Sequence, residues 1–367
     1  MKKRTLPLVA LAFLSALTAE FLLGDQYLSS AGAGAQVGML LFFVVFYGSG
    51  AILIRETARR LQLGWPGIML LAFAFGVFEE GLLTQSLFNP DYVGQHLLAP
   101  AYIPALGIGA EWTVFVIPLH VIWSMGSPIA LFEANFGEAP RLRRVGLSVC
   151  SMIFALGSIG IFAVSLGMSD EHFMASPLQL ASAAAIALVT AVIAVRLPRR
   201  LPAAHRSGGL FVGLAVTSAF QLASKLDDQI SPWLGTLALV AVLVIGGMLA
   251  GKFRPVSLAA GAILTYCWVG FANAADHGAP AMIEQGVIIA AYLVLLVVTL
   301  RRESMPTIGH ALHTRSDRRN RSRNDHAGVS TLGTGSGQTG LTYPKLTWSG
   351  GDRLHRQGEE DLRGRRA

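Results

Sequence analysis

Charge is what this sequence has least of. Asp, Glu, Lys and Arg make up 14% of its 367 residues, against roughly a quarter in an ordinary globular domain. The deficit is concentrated before residue 300, because 13 of the 29 basic and 7 of the 22 acidic residues come after it. A chain that is 53% hydrophobic and so sparsely charged cannot cover a core of this size with water-facing groups, which excludes a soluble domain. Cysteine is equally scarce. The two that occur, Cys150 and Cys267, both fall inside apolar runs and are expected as buried small hydrophobes, so a disulfide framework is excluded. No glycine-rich phosphate loop, CxxC, HExxH or GxSxG pattern is present, which removes the familiar nucleotide, zinc and serine-hydrolase signatures. There is no repeat of 20–50 residues, and no residue pattern relates the first half of the apolar part to the second.

What is present is a succession of apolar runs of membrane-crossing length: 6–23, 37–54, 66–84, 112–133, 145–167, 178–195, 209–224, 232–250, 257–275 and 281–300. At 1.5 Å rise per residue, about 19 residues cover the roughly 30 Å hydrocarbon layer. None alternates as a membrane β-strand would. The predicted fold is all-α, a polytopic transmembrane helical bundle of about ten spans over residues 1–300, with the lipid bilayer as its partner. The weakest run, 209–224, is short and holds Thr217, Ser218 and Gln221.

The loops give an independent test. With ten spans, 28 of the 29 basic residues fall on one side and only Lys225 on the other. Deleting the 209–224 run would scatter the later charges to both sides, so the bias argues for keeping it. The positive-inside rule then places both termini in the cytoplasm, in a multi-pass protein of the cell (inner) membrane. The first run has a basic start like a signal peptide, but its 18 apolar residues exceed the usual h-region, and it reads as an anchor.

Residues 301–367 change character. Rich in Arg, Ser, Gly and Thr and without apolar periodicity, they read as a disordered basic cytoplasmic tail. They hold nearly all of the formal net charge of +7, so the pI of 9.7 is no argument for nucleic-acid binding by the folded part. The run Arg315, Arg318, Arg319, Arg321 and Arg323 could hold anionic lipid headgroups, at roughly 1 kcal/mol per charge near the surface. A solvated tail that only sets orientation explains it equally well.

Ionisable residues inside apolar runs are the informative ones, because lipid offers them no solvation. Glu79 and Glu80 lie in the outer part of the third run, and His120 in the outer half of the fourth. Two carboxylates and an imidazole at similar depth could activate a water, bind a metal or relay protons. A hydrogen-bonded pair that merely glues two helices is the plainer reading. Of the two carboxylates Glu80 is favoured, since Gly76 and Thr84 keep its face close-packed and polar. Thr113, His120, Ser124 and Ser127 follow helical spacing and predict one polar stripe. Gln85, Asn89 and Ser124 are the candidate supporting residues. The link 85–110 contains no Lys or Arg, and its proline-broken apolar stretch reads either as an interfacial lid or as an ordinary surface loop. Glu20 and Glu133 sit near helix ends, where snorkelling or an arginine partner suffices. Asn273 and His277 read as solvated.

The order Glu79-Glu80 on one helix, then His120 on a later one, resembles the CPBP (Abi) family of intramembrane proteases, whose motifs are EExxxR, FxxxH and a later helix with His and Asn. The resemblance covers about residues 75–135. It implies a metal-assisted or glutamate-activated water that cleaves a peptide bond within the membrane, with Glu79 and Glu80 at the carboxylate positions and His120 at the second-motif histidine. Thr84 stands where that pattern has Arg, Val116 where it has Phe, and no His follows in the fifth or sixth run. The residues alone name no cofactor and leave metal binding open. Two other classes compete with the protease: a transporter or proton-coupled permease using the same groups, and a non-catalytic membrane scaffold.

The charge bias makes a direct prediction. On intact cells, a cysteine at Ser86 or Gln95 should react with an impermeant thiol reagent, and one at Leu142 should be protected. The opposite pattern would invert the orientation.

Overall fold

The computed structural model describes residues 2–29, 33–168, 173–197, 205–226 and 230–304. Each of the ten predicted runs coincides with one helix: α1 Thr5–Phe21, α2 Gly34–Arg60, α3 Trp65–Leu83, α4 Ala110–Phe136, α5 Arg144–Gly167, α6 Pro177–Arg196, α7 Gly209–Ala223, α8 Pro232–Ala250, α9 Pro255–Ala275 and α10 Ala279–Glu303. Eight are long and apolar enough to cross a membrane, and α1 and α7 are shorter. The fold is an all-α membrane bundle. Among the described residues the only strands are β1 Tyr102–Ile103 and β2 Ile108–Gly109, an antiparallel pair in the α3–α4 link.

Local chemistry sets the helix ends. Pro66, Pro177, Pro232 and Pro255 occupy first-turn positions, where the missing N–H removes no helical bond. Ser176 and Gln179 close a reciprocal capping box at the start of α6. Gly137 ends α4 at φ 80°, a conformation that disfavours any side chain.

Burial sorts the helices into layers. In α3, α4 and α9 between 61 and 67% of the apolar window is buried inside the protein, whereas in α5, α6, α8 and α10 the share is 11–22%. The first three are therefore the inner helices, and the last four are peripheral, with most of their apolar residues on the outside of the bundle. Trp123 fastens the inner layer. Fully buried, it donates to the Ala262 carbonyl at 2.8 Å and stacks on Tyr266 with centroids 4.3 Å apart. Glycines allow the close crossings: the backbone of α9 at Gly261 and of α7 at Gly213 meet directly.

Four stretches are wound as π-helix instead of α-helix: Leu17–Phe21 in α1, Val44–Gly48 in α2, Glu79–Leu83 in α3 and His120–Gly126 in α4. Their bonds run from residue i+5 to residue i, as from Thr84 N to Glu79 O at 2.9 Å and from Leu22 N to Leu17 O at 2.8 Å. Each wide turn shifts the phase of the side chains beyond it. Of the expected stripe, His120, Ser124 and Ser127 are buried, and Thr113, upstream of the wide turn, bonds back to Gly109 O.

The basic loops gather at one end of the bundle. Arg60 donates to the Leu142 carbonyl, Arg254 pairs with Glu303 at 3.0 Å, and Arg302 reaches Asn135 at 3.2 Å. Two boundaries move. Arg55 was expected in a loop after the second run, but α2 continues to Arg60, and Arg55 and Glu56 are fully buried. Arg55 bonds Glu56 and the carbonyls of Gly137 and Ala139, Glu56 also accepts from the backbone of Arg141 and Leu142, and Arg59 pairs with Glu133. The expected tail boundary at residue 300 shifts because α10 runs to Glu303 and its end is tied down by those contacts. The rest of the predicted tail, including Arg315 to Arg323, lies outside the described residues. Ser86 is fully buried, so Gln95, which is exposed, is the informative site for thiol labelling.

One tight crossing near the π turns is that of α1 over α2. A Cβ on Gly48 would stand 2.5 Å from Ala12 Cβ and 2.7 Å from its Cα, and backbone cannot yield as a side-chain tip does. Gly48→Ala should lower stability by about 1–3 kcal/mol, read as an earlier thermal transition in detergent. An unchanged transition would mean that the helices separate freely there.

Candidate functional site

The Glu79–Leu83 turn ends α3, and the His120–Gly126 turn sits in the middle of α4. Gly76, one turn before Glu80, lets α4 come close: a Cβ there would lie 3.2 Å from His120 Cβ. Across this contact the His120 Nε2 lies 2.7 Å from Glu80 Oε1, and Nδ1 lies 3.1 Å from Glu79 Oε2. Adjacent glutamates on a regular helix point about 100° apart, and the wide turn is what brings both to one imidazole. All three side chains are buried.

Every carboxylate oxygen but one has a hydrogen-bond partner, Glu80 Oε1 in His120 itself and two others in further groups. The Tyr47 hydroxyl donates to Glu79 Oε1 at 2.5 Å. Thr84 Oγ1 donates to Glu80 Oε2 at 3.0 Å, Ser86 Oγ donates to the same oxygen, and Trp112 Nε1 donates to Ser86 Oγ at 3.1 Å. Thr84, which stands where the resembled motif has Arg, thus serves Glu80 as a neutral donor. Glu79 Oε2 is the exception, buried and without a hydrogen-bond partner. The Tyr47 ring lies nearly parallel to the imidazole, with centroids 6.2 Å apart.

The supporting residues divide. Ser124 Oγ is 3.5 Å from His120 Nδ1, at the limit of a hydrogen bond, and its carbonyl accepts from the Ser15 hydroxyl of α1 at 2.5 Å. Gln85 and Asn89 do not touch the cluster. Gln85 Oε1 accepts from Ala175 N at 2.7 Å, and Asn89 Oδ1 from Asp91 N at 3.0 Å. They fasten the 84–109 segment, whose first residues cover Glu80. That cover is strained: Gln85, Val93, His96 and Ala101 all have φ between 48° and 55°, a region that costs residues bearing a Cβ about 1 kcal/mol or more each. Asn273 bonds the Leu23 carbonyl and His277 packs on Tyr27, both away from the cluster.

Two residues outside the predicted site belong to it. Tyr47 carried no signal in the sequence, being one aromatic residue in an apolar run. Glu20, near the end of α1 as expected, is half-buried in the Leu17–Phe21 turn, which packs against the His120–Gly126 turn. That packing brings its carboxyl close enough to His120 and Glu80 for their charges to interact. An acidic residue within an apolar run was the clue, the same one that singled out Glu79.

Glu79, Glu80 and His120 each offer a ligand atom within 4.8 Å of the others, a spacing an ion can bridge. A ligating histidine, however, presents a bare ring nitrogen to the metal, and here both nitrogens face carboxylate oxygens. The arrangement as it stands is that of an acid–base cluster, and the same three groups would be the ones to hold an ion. Each imidazole–carboxyl contact needs one proton, on the ring or on the acid. Such a site can hold and exchange protons among buried groups.

Removing the imidazole tests how far the cluster holds the fold. His120→Leu leaves two buried carboxyls facing each other and should destabilise the bundle by about 3–5 kcal/mol, as loss of one partner of a buried pair does. A denaturation midpoint unchanged from the wild type would mean that the pair is not buried together.

The model of a family described as an uncharacterized membrane protein family matches residues 9–216. That span includes Glu20, Tyr47, Glu79, Glu80 and His120. No curated protein and no solved structure matches the chain.

Proposed function

We propose that this chain, which belongs to the uncharacterized membrane protein family it matches over residues 9–216, is an intramembrane hydrolase of peptidase type. The observation that carries the reading is that all four π-helical stretches of the described residues meet at one buried acid–base cluster. Wide turns sacrifice regular backbone bonding and recur at functional sites. A bundle needing only adhesion between α3 and α4 has no use for four of them.

In this reading Glu79 is the general base. Its Oε2 has a free lone pair and takes a proton from a water as the water oxygen adds to the peptide carbonyl. His120 then gives a proton to the departing nitrogen as the carbon–nitrogen bond breaks. Glu80, held by Thr84 and Ser86, orients the imidazole from Nε2. Water and substrate enter by displacement of the 84–109 segment, whose strained backbone lowers the penalty for opening. Expulsion of bulk water when it closes strengthens each electrostatic contact inside.

Full-length protein in liposomes with quenched fluorescent peptides of membrane-spanning length tests the reading. The wild type should cleave, and Glu79→Gln should slow cleavage by about 10²-fold or more, the usual contribution of a general base, with an unchanged thermal transition. Equal cleavage by Glu79→Gln removes the proposed base. Vesicles that take up protons without cleaving any peptide would support the transporter class instead.

A further inference from the structure

We infer that the tip of the β1–β2 hairpin, residues 102–107, is a membrane-interface anchor. Its partner is the boundary between lipid headgroups and acyl chains, in the leaflet that the charge bias makes the outer one. The hairpin belongs to the segment that covers Glu80, but its contact with lipid is independent of any chemistry at the cluster. Between Asp91 and Glu111 the chain holds no Asp, Glu, Lys or Arg. Tyr102, Pro104, Ala105 and Leu106 are all exposed, Leu106 by 56%. Apolar groups gathered at one surface mark a contact, and their place in the fold says with what.

The level of the tip follows from α6. Its 20 residues, at 1.5 Å each, cover about 30 Å, the thickness of the hydrocarbon layer, so its first turn stands at the boundary. Of the eight long helices it has the smallest buried share, 11%, and Leu178 in its first turn is 80% exposed. This end of α6 therefore faces lipid. The hairpin tip is tied to the same turn: Gln179 Nε2 donates to the Leu106 carbonyl at 3.4 Å, and a Cβ on Gly107 would stand 2.7 Å from that nitrogen. The apolar surface of the tip thus continues the lipid-facing surface of the helix. Arg196 lies in the last turn of α6, which puts the hairpin at the end away from the basic loops.

The backbone of the tip suits an apolar surrounding, where an unpaired N–H is costly. Pro104 has no N–H. Leu106 N and Gly107 N donate to the Ile103 carbonyl at 3.1 and 2.9 Å, and Ala110 N donates to the Ala101 carbonyl at 3.0 Å. Tyr102 adds an amphipathic ring at the level where tyrosine collects in membrane proteins. The earlier part of the segment differs in chemistry. Asp91 and His96, 3.3 Å apart and with their side chains 60% and 74% exposed, belong in water. The cover therefore straddles the boundary. Thr84 and Ser86 fasten it to Glu80 at one end, and lipid holds the hairpin at the other.

Spin labels measure the depth directly. The labels are placed on Leu106→Cys, Gln95→Cys and Leu188→Cys in full-length protein in liposomes, and the wild type, whose two cysteines are buried, gives the background. Ala105→Cys repeats the measurement one residue away. Oxygen concentrates in the bilayer and a nickel chelate in water, so the ratio of their collision rates reports depth. At Leu106 and Ala105 oxygen should prevail, as at exposed Leu188 in the middle of α6, and the ratio should reverse at Gln95. Labels at the tip that meet nickel as readily as the one at Gln95 overturn the anchor in favour of a loop in water. Labels shielded from both reagents overturn it in favour of a protein covering the tip. No turnover is measured, so either failure would leave the hydrolytic reading standing, and a protein that cleaves no peptide could still carry the anchor.

Discussion

The structure turns on one constraint: in lipid, a buried carboxyl or imidazole must find all of its partners within the protein. Glu79, Glu80 and His120 meet that demand together, on two helices, with Tyr47 on a third donating to Glu79. Straight α-helices cannot bring these groups to a point, because consecutive residues diverge by about 100°. The four π-helical turns supply the missing rotation. The backbone groups they free are recovered locally, as when Ser15 donates to the Ser124 carbonyl.

The surrounding packing keeps this arrangement rigid. Gly76 admits His120 to α3, Gly48 seats α1 on α2, and Trp123 locks α4 to α9 behind the histidine. At the other end of the bundle a second buried polar group, Arg55 with Glu56, secures the loop between α4 and α5. The two differ in chemistry. Arg55 and Glu56 are opposite charges whose hydrogen bonds run to each other and to backbone carbonyls and amides, an arrangement that fixes geometry. The Glu–His–Glu cluster has more acceptors than protons, and one carboxylate oxygen left without a bond, which is what an acid–base site requires.

The 84–109 segment belongs to the same logic. It reaches over Glu80 with Thr84 and Ser86, is pinned through Gln85 to residue 175, and holds four non-glycine residues in left-handed backbone. Strain of this kind persists only where surrounding contacts enforce it. The segment is thus both the source of two of the Glu80 hydrogen bonds and the least relaxed part of the chain near the site.

How much of this was legible in the sequence follows from the range of each interaction. Hydrophobic run length reports on lipid, a solvent that acts on every residue alike, so all ten helices could be placed from composition alone. Glu79, Glu80 and His120 were visible because charge in an apolar run is conspicuous wherever it points. Glu20 was equally visible, but a position near a helix end gives no sign of which neighbouring turn it packs against. Arg55 was misread because a helix can continue past its apolar run when its charges are paired inside the protein. Tyr47 left no trace, because its role depends on a hydroxyl meeting the Glu79 carboxyl of another helix. The π turns were likewise invisible, since no residue type demands them; they form where tertiary packing and shared hydrogen bonds outweigh the regular backbone bonds they replace. The sequence by itself determined that the chain is a helical membrane protein and which ionisable groups it buries. Only the tertiary structure decided which of those groups meet, because a contact between distant helices is set by packing and by the phase of each turn, neither of which is written in local composition.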